Sequence, residues 1–240
     1  QIDTDNIPVN CSYLRFNDDD NFLLQLETYK DDKYEREICS DDIACIYYSS
    51  GTTGNTKSVL YSHKNMLSLT KSIVNDFQFL SESIHLGVLP LGHTAITNYQ
   101  LLPSLYAGST LFLADNFNSV RGDIWKIVAD FNITYLQVVP TILFAMIATP
   151  YDDENVKANR SLKYIGCGSA PLSIESQINF YNRFNVKVAN LYGLSETGPS
   201  HFDNPLLPNW EPGSIGYPLT VNDCKIFSKD LNELKVGEIG

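Results

Sequence analysis

From Asp42 onward, short apolar runs alternate with segments of helical periodicity, and this alternation is the feature that most limits how the chain can fold. The runs are rich in β-branched and aromatic residues, and each is followed by a stretch with apolar residues at helical spacing. Successive βα units of this kind build a mostly parallel sheet covered by helices. We therefore expect an α/β core over residues 42–240, with residues 1–41 as a peripheral or partial segment.

The pattern predicts the positions of the individual elements. Strands are expected at residues 43–48, 85–89, 110–114, 134–139, 162–166, 186–191 and 224–227, with a weaker candidate at 22–26. Helices are expected at 63–77, 95–106, 120–131, 141–148 and 173–184. Ser119 and Ser173 are of the residue type that caps helix N-termini.

Composition and charge exclude several classes of protein. A hydrophobic fraction of 43% with 19% charged residues is typical of a globular chain and excludes general disorder. The formal net charge of −11 would repel a polyphosphate backbone, so we expect no nucleic-acid partner.

Cysteine usage and hydropathy indicate the compartment. The 5 cysteines form no CxxC pair, which favours a reducing cytoplasm. No apolar run reaches the length of about 18 residues that a membrane helix needs, so we expect no membrane span. Because the sequence opens on Gln1 rather than Met, we expect the natural N-terminus to lie further upstream.

The most informative motif occupies residues 48–58, after an apolar strand and, on this prediction, before a helix. Gly51 and Gly54 allow a tight turn that presents backbone N–H groups, and Lys57 supplies a cation. Four hydroxyl groups add hydrogen-bond donors: Ser49, Ser50, Thr52 and Thr53. The segment therefore predicts a phosphate-binding loop.

A Walker-type loop is an alternative interpretation of the same residues. The run from Gly51 to Ser58 departs from that template only in having Thr56 at the second glycine position. Asp115, after an apolar run, could then serve as the magnesium-binding aspartate. On these residues alone, a Walker-type nucleotide triphosphatase stays open.

A second motif, residues 190–198, closes another apolar strand. Tyr192 offers a flat face to a base, Ser195 a hydroxyl to an α-phosphate, and Glu196 a negative charge to a metal that bridges phosphates. Gly193 lies between the aromatic residue and the polar pair. This set of groups suits a nucleotide with its metal ion.

Two further segments carry weaker signals. Small residues at Gly168, Ser169 and Ala170, followed by Pro171, would permit close approach of a ligand to the backbone. His93 ends an apolar run. Taken alone, both are also explained as ordinary turns at the ends of strands.

Together these segments resemble the adenylate-forming superfamily, which includes acyl-CoA synthetases and coumarate-CoA ligases. Residues 48–57, followed by 61–63, resemble its phosphate loop, although Thr56-Lys57-Ser58 stands where the family usually has Pro-Lys-Gly. Residues 192–196 are similar to its Tyr-Gly-x-Thr-Glu signature, with serine for threonine. Residues 168–171 resemble its Gly-Ala-Pro segment, and His93 its Pro-x-x-His turn.

The resemblance covers residues 42–240 and implies the central part of the large N-terminal domain of such an enzyme. It implies that a carboxylic acid attacks the α-phosphate of ATP, and that a thiol of coenzyme A or a phosphopantetheinyl carrier protein takes up the acyl group. ATP and Mg²⁺ are the implied cofactors. The content of residues 97–106 is compatible with an apolar or aryl acid.

The resemblance also implies roles for individual residues. Lys57, Ser195, Glu196 and His93 would be catalytic, with Glu196 holding the metal ion and His93 lying at the acyl end. The β- and γ-phosphates are assigned to Ser49, Ser50, Gly51, Thr52, Thr53, Gly54 and Lys57. The adenine is assigned to Gly168, Ser169, Ala170, Pro171 and Tyr192, and Gly193 is also expected to bind the cofactor.

Two elements of the family do not occur between residues 42 and 240: the Thr-Gly-Asp motif that holds the ribose and the lysine of the small C-terminal domain. We therefore expect the chain alone to be inactive. A non-catalytic nucleotide-binding remnant is the second interpretation, and the sequence beyond Gly240 would distinguish the two.

Overall fold

The computed structural model describes residues 37–50, 56–152, 156–157 and 161–240, with the backbone alone described at 49, 50 and 56. By its contacts the chain divides into two units, Gln1–Ile38 and Cys39–Gly240, and nearly all described residues belong to the second. The strand candidate at 22–26 lies outside the described residues.

The strands of the described residues form two separate sheets. β1 and β2 pair antiparallel, whereas the larger sheet has the order β4-β3-β5-β6-β7-β8-β9. Its first five strands are mutually parallel and the last two antiparallel, which confirms the mainly parallel α/β prediction. The bounds are β1 Ile43–Ser50, β2 Thr56–Ser62, β3 Ile84–Gly87, β4 Thr110–Leu113, β5 Tyr135–Val138, β6 Tyr164–Cys167, β7 Val188–Leu194, β8 Gly198–Phe202 and β9 Tyr217–Pro218.

Helices follow most strands of the larger sheet. They are α1 His63–Asp76, α2 Thr94–Ile96, a π-helical turn Thr97–Leu101, α3 Leu102–Ala107, α4 Phe117–Val120, α5 Ile124–Asp130, α6 Pro140–Ala148 and α7 Ile174–Phe184. None of the helices in the described ranges is long and apolar enough to cross a membrane.

The central strands of the larger sheet are buried on both faces, which explains why they read as continuous apolar runs. On β5, Leu136 and Val138 pack on one face, against apolar side chains of α5, α6 and α7. Tyr135 packs on the opposite face, in a cluster that includes Leu69 and Ile73 of α1. The sheet thus lies between two layers of helices.

The helix caps confirm one predicted cap and correct another. Ser173 accepts a hydrogen bond from the Ser176 N–H at 3.1 Å and caps α7, as predicted. Ser119, however, lies inside α4, and Asn116 is the cap, accepting from the Ser119 N–H at 3.2 Å. The competing asparagine three residues earlier is an equally strong cap, which is why the prediction was wrong.

The predicted strand, loop and helix at residues 43–77 need a correction because a second strand intervenes. β2 pairs with β1, placing Ile46 opposite Leu60 and Lys57 opposite Ser49, and α1 begins only at His63. In a Walker-type loop the lysine stands at the start of the helix that cradles the phosphates. Lys57 lies within a strand instead, and β4, which precedes Asp115, belongs to the other sheet. This geometry contradicts the Walker alternative.

Two helices predicted as continuous are interrupted. The helix predicted at 95–106 contains the π-helical turn, and the one predicted at 120–131 is divided by a turn around Gly122. Glycine costs about 1 kcal/mol relative to alanine inside a helix, which favours a break at that position.

The strand predicted at 224–227 is also wrong. In this region only Phe227 forms an isolated bridge, to Glu233, and Ile226 is 58% exposed. Among the described residues, the backbone of this run pairs only across a short turn, with residues 232–234, so no ladder forms. Conversely, β8 and β9 were not predicted, because Gly198–Phe202 and Tyr217–Pro218 contain glycine and proline that disfavour strands.

Asp203, just after β8, is a buried carboxyl group whose Oδ2 atom has no hydrogen-bond partner among the described residues. Burial raises the pKa of Asp203 to about 6, with a further rise from Glu211 that Lys187 and Trp210 oppose. Because this pKa exceeds that of the unfolded chain, the native state loses stability as the pH rises from about 4 to about 6.

We therefore expect Asp203→Asn to stabilise the protein at pH 7, by an amount on the order of 1 kcal/mol after allowance for screening. The difference in stability between the variant and the natural chain should shrink as the pH falls towards about 4, where the side chain of residue 203 is neutral in both folded proteins. Urea unfolding across this pH range measures it, with Asp230→Asn at an exposed position as the control. An equal stability difference at every pH would contradict the assignment.

Candidate functional site

A cavity of about 700 Å³ is lined by residues within strands of both sheets, by the turns that follow β6 and β7, and by the start of the helical segment after β3. In open α/β folds, ligands bind at the carboxyl ends of the parallel strands. The cavity has the size of an ordinary ligand site. Its lining residues are Tyr48, Lys57, His93, Thr94, Ala95, Asn98, Tyr99, Ser169, Gly193, Leu194, Ser195, Glu196, Gly198 and Pro199.

The first wall of the cavity comes from the β1–β2 hairpin. Tyr48, with 70% of its surface exposed, and Lys57, also exposed, both line the cavity. The ladder places the backbone of Ser49 directly opposite that of Lys57. Lys57 is therefore the second residue of β2 and lies near its start. Of the predicted loop residues, Gly51, Thr52, Thr53 and Gly54 lie outside the described residues, as do the side chains of Ser49 and Ser50.

The second wall is the turn between β7 and β8, which carries Ser195 and Glu196. The Leu194 N–H donates to Thr197 Oγ1 at 3.1 Å, and that hydroxyl donates to the Gly198 carbonyl at 2.9 Å. A side chain at Gly193 would lie 2.4 Å from the Gly198 carbonyl oxygen. Gly193 is thus required by the close approach of the two strands, whatever the ligand.

Tyr61 on β2 fixes this turn to the hairpin. Its hydroxyl donates to the carbonyl of Ser195 at 2.8 Å, and its ring meets Tyr47 edge to face at 5.1 Å. Burial raises the pKa of Tyr61, and the negative charge of Glu196 raises it further, so the hydroxyl stays a donor. The contact joins the two predicted phosphate motifs, which are separated by more than a hundred residues in the chain.

The third wall is the start of the helical segment after β3. His93 caps α2, because its Nδ1 atom accepts a hydrogen bond from the Ala95 N–H at 3.0 Å. This bond makes Nδ1 the acceptor nitrogen and leaves Nε2 as the one able to donate to a ligand. His93 therefore both caps α2 and lines the cavity.

The predicted adenine segment reaches the cavity only in part. Ser169 lines it, with a positive φ of 70°, whereas Gly168, Ala170 and Pro171 do not. A side chain at Gly168 would lie 2.8 Å from the Leu191 carbonyl oxygen, so that glycine has a packing reason of its own.

Tyr192 is half-exposed outside the cavity lining, and its ring meets His201 at 5.8 Å. The structure thus brings Lys57, His93, Ser169, Gly193, Ser195 and Glu196 to one cavity, and places Gly168, Ala170, Pro171 and Tyr192 beside it.

Sequence reasoning assigned no role to several residues at or next to this cavity. Asn98 and Tyr99 lie within a segment predicted as a plain amphipathic helix, and Tyr61 lies in an undetected strand. The apolar run Val59-Leu60-Tyr61, with a β-branched and an aromatic residue, was the available signal for that strand. No local signal indicated the π-helical turn.

The acidic residue at the cavity suits a metal ion that also binds phosphate oxygens of a ligand. Among the described residues, no group of three or more His, Cys, Asp and Glu side chains could hold a metal ion. Magnesium typically uses one or two protein carboxylates together with phosphate oxygens. The single carboxylate of Glu196 at the cavity fits that donor set.

Comparisons with known proteins agree on one family. Residues 3–240 match the family model of AMP-binding enzymes. The chain is 32% identical over 178 residues to the acyl-CoA synthetase ALT10 of Alternaria alternata, an alignment that covers 73% of this chain and 30% of that protein. It is 31% identical over 203 residues to the long-chain-fatty-acid–CoA ligase of Bacillus subtilis (strain 168), covering 80% and 34%.

A solved structure is similar in fold and sequence. ATP-bound MatB from Rhodopseudomonas palustris has a TM-score of 0.71 and 25% sequence identity, covering 83% of this chain and 39% of that one. The chain spans about a third of the length of the two curated relatives.

We expect Tyr61→Phe to loosen the β7–β8 turn, because it removes the hydroxyl that donates to Ser195. The free energy of unfolding should fall by about 1 kcal/mol, and amide hydrogen exchange at residues 193–198 should quicken. Tyr106→Phe, at an exposed tyrosine, is the matched control. Unchanged exchange in the turn would show that the hydroxyl does not hold it.

Proposed function

Because the chain belongs to the family of AMP-binding enzymes, we propose that the intact protein activates a carboxylic acid with ATP as an acyl-adenylate. The acyl group then passes to a thiol, either coenzyme A or the phosphopantetheine of a carrier protein. The observation that carries the proposal is the convergence of Lys57, Ser195 and Glu196 on one cavity from segments far apart in the sequence.

The reaction proceeds in two displacements. A carboxylate oxygen attacks the α-phosphorus of ATP, the bond to the bridging oxygen breaks, and pyrophosphate leaves with the electron pair. The thiolate sulfur then attacks the acyl carbon and AMP leaves, so that a thioester forms. Both steps develop charge on phosphate oxygens, and catalysis consists largely of positioning and charge neutralisation.

The cavity residues divide this work among them. The ammonium of Lys57 neutralises the leaving β- and γ-phosphates, to which the sequence motif also assigns the hydroxyls of Ser49, Ser50, Thr52 and Thr53. Ser195 donates to the α-phosphate, and the carboxylate of Glu196 would hold Mg²⁺. When bound, Mg²⁺ would supply positive charge that offsets the negative charge of the phosphates. The exposure of the Lys57 and Glu196 side chains supports these roles, because both can reach a ligand.

The remaining residues orient the two substrates. His93 can donate from Nε2 to the acid carboxylate, since Nδ1 is engaged with Ala95. The adenine would lie against the backbone of residues 168–171, with Ser169 at the cavity and Tyr192 beside it.

Exchange of labelled pyrophosphate into ATP tests the proposal, because adenylation is reversible until the thiol reacts. In the full-length protein with Mg²⁺ and a panel of fatty, aryl and oxo acids, we expect exchange with at least one acid. Glu196→Gln should lower it by about 10²–10³-fold at limiting Mg²⁺, since it removes charge but keeps shape.

Glu82→Gln, at an exposed position on the loop before β3, is the control and should exchange like the natural protein. Exchange that is absent with every acid would overturn the proposed function. Exchange that survives Glu196→Gln would overturn the metal role of that residue alone.

A further inference from the structure

The antiparallel pairing of β7 and β8 contains one extra residue on β8. Tyr192 stands opposite His201, whereas the next residue of β7 stands opposite Pro199. Ser200 is therefore left over, which makes a β-bulge. β8 is an inner strand, because β9 pairs with its other edge. Proline has no N–H to give to a ladder and is found in sheets mainly at edges and bulges, so Pro199 favours an interruption of the ladder here.

The hydroxyl of Ser200 links the backbone of Tyr192 to the imidazole of His201. Its Oγ atom donates to the Tyr192 carbonyl at 3.1 Å and lies 3.1 Å from the Nδ1 atom of His201. A hydroxyl has one proton and a carbonyl can only accept, so Oγ accepts its second hydrogen bond from the Nδ1–H of His201. Burial lowers the pKa of His201, which keeps the ring neutral at pH 7. The imidazole is therefore held in one tautomer and one orientation.

The imidazole of His201 supports the ring of Tyr192. Residues directly opposite each other in an antiparallel pair project from the same face of the sheet. The two ring centroids are 5.8 Å apart and the ring planes meet at 65°, an edge-to-face contact. Pro218 of β9 stands opposite His201 on its other side. The three residues thus form a row across β7, β8 and β9, and the imidazole blocks rotation of the Tyr192 ring towards β8.

The ring of Tyr192 keeps a surface that a ligand can reach. The residue is 45% exposed and adjoins Gly193, which lines the cavity. The other part of the predicted adenine site, residues 168–171, starts nearby, because a side chain at Gly168 would lie 3.0 Å from the Cβ atom of Leu191. Bulges occur frequently next to active sites, where they change the direction of a side chain. This bulge acts on the residue that is predicted to contact the base.

We propose that Ser200 and His201 are positioning residues, which hold the ring of Tyr192 in the orientation that stacks on the base of a purine nucleotide. Both act through Tyr192, and neither needs to touch the nucleotide. A ring that is fixed before the base arrives loses less freedom on binding than a ring that can rotate, so more of the stacking energy contributes to affinity. The inference rests on the proposed function and says how its adenine site is built.

The test compares the binding of MgATP and of magnesium tripolyphosphate, which lacks the base and the ribose, to the full-length protein by calorimetry. His201→Ala removes the ring contact and the hydrogen bond to Ser200 together. We expect it to raise the Kd for MgATP by about threefold to tenfold, as for the loss of an aromatic contact, and to leave the Kd for tripolyphosphate unchanged. Ser200→Ala, which removes only the linking hydroxyl, should act in the same direction.

A double-mutant cycle with Tyr192→Leu shows whether His201 acts through the tyrosine ring. In that background His201→Ala should raise the Kd for MgATP no further, because no ring is left to hold. His201→Phe keeps a ring beside Tyr192 and should restore most of the affinity that the alanine variant loses. Tyr217→Ala, at an exposed position on β9, is the matched control and should bind MgATP like the natural protein.

The outcomes separate this inference from the proposed function. Failure of the natural protein to bind MgATP would overturn both. Binding of MgATP that His201→Ala leaves unchanged would overturn only the positioning role. An equal loss of affinity for MgATP and tripolyphosphate, or a loss that persists in full beside Tyr192→Leu, would show that His201 supports the fold at large and would also overturn that role.

Discussion

Parallel pairing of β3, β5, β6 and β7 is the constraint on which the site depends, because it sends the carboxyl ends of these strands to one edge of the sheet. A parallel sheet needs a crossover after each strand and cover on both faces, and the helices supply both. The segments that follow β3, β6 and β7 therefore meet at that edge. Lys57 reaches the same place from a separate antiparallel hairpin, which the Tyr61 hydroxyl joins to the β7–β8 turn.

Several glycines in the motifs have packing reasons that are independent of a ligand. Gly193 and Gly168 both stand where a side chain would collide with a backbone carbonyl of a neighbouring strand. The glycines of these motifs are therefore explained in part by the close packing of strands and not only by ligand binding. Packing does not explain the polar motif residues Lys57, Ser195 and Glu196. The structure brings these three residues to one cavity.

The sequence was sufficient for the five parallel strands of the larger sheet but not for features that depend on distant contacts. Buried strands such as β5 are apolar on both faces and flanked by helices, so their pattern is unambiguous. β2 exists because Leu60 and its neighbours pair with β1, and β8 because it pairs with β7 despite its glycine and proline. The π-helical turn has no local sequence signature. Asn98, whose Nδ2 atom has no hydrogen-bond partner among the described residues, could therefore be found at the cavity only from the structure. The division at residue 42 and the roles assigned to the loop 51–54 stay predictions.

The central claim is that the cavity directs attack to the α-phosphate of ATP. Analysis of the nucleotides formed by the full-length protein, with acid, thiol and Mg²⁺ present, tests it most directly. Ser195 and Glu196 lie together at the cavity, and Lys57 lies in a strand rather than at the start of a helix as in a Walker-type loop. The account predicts AMP and pyrophosphate as the direct products, whereas ADP and inorganic phosphate would contradict it.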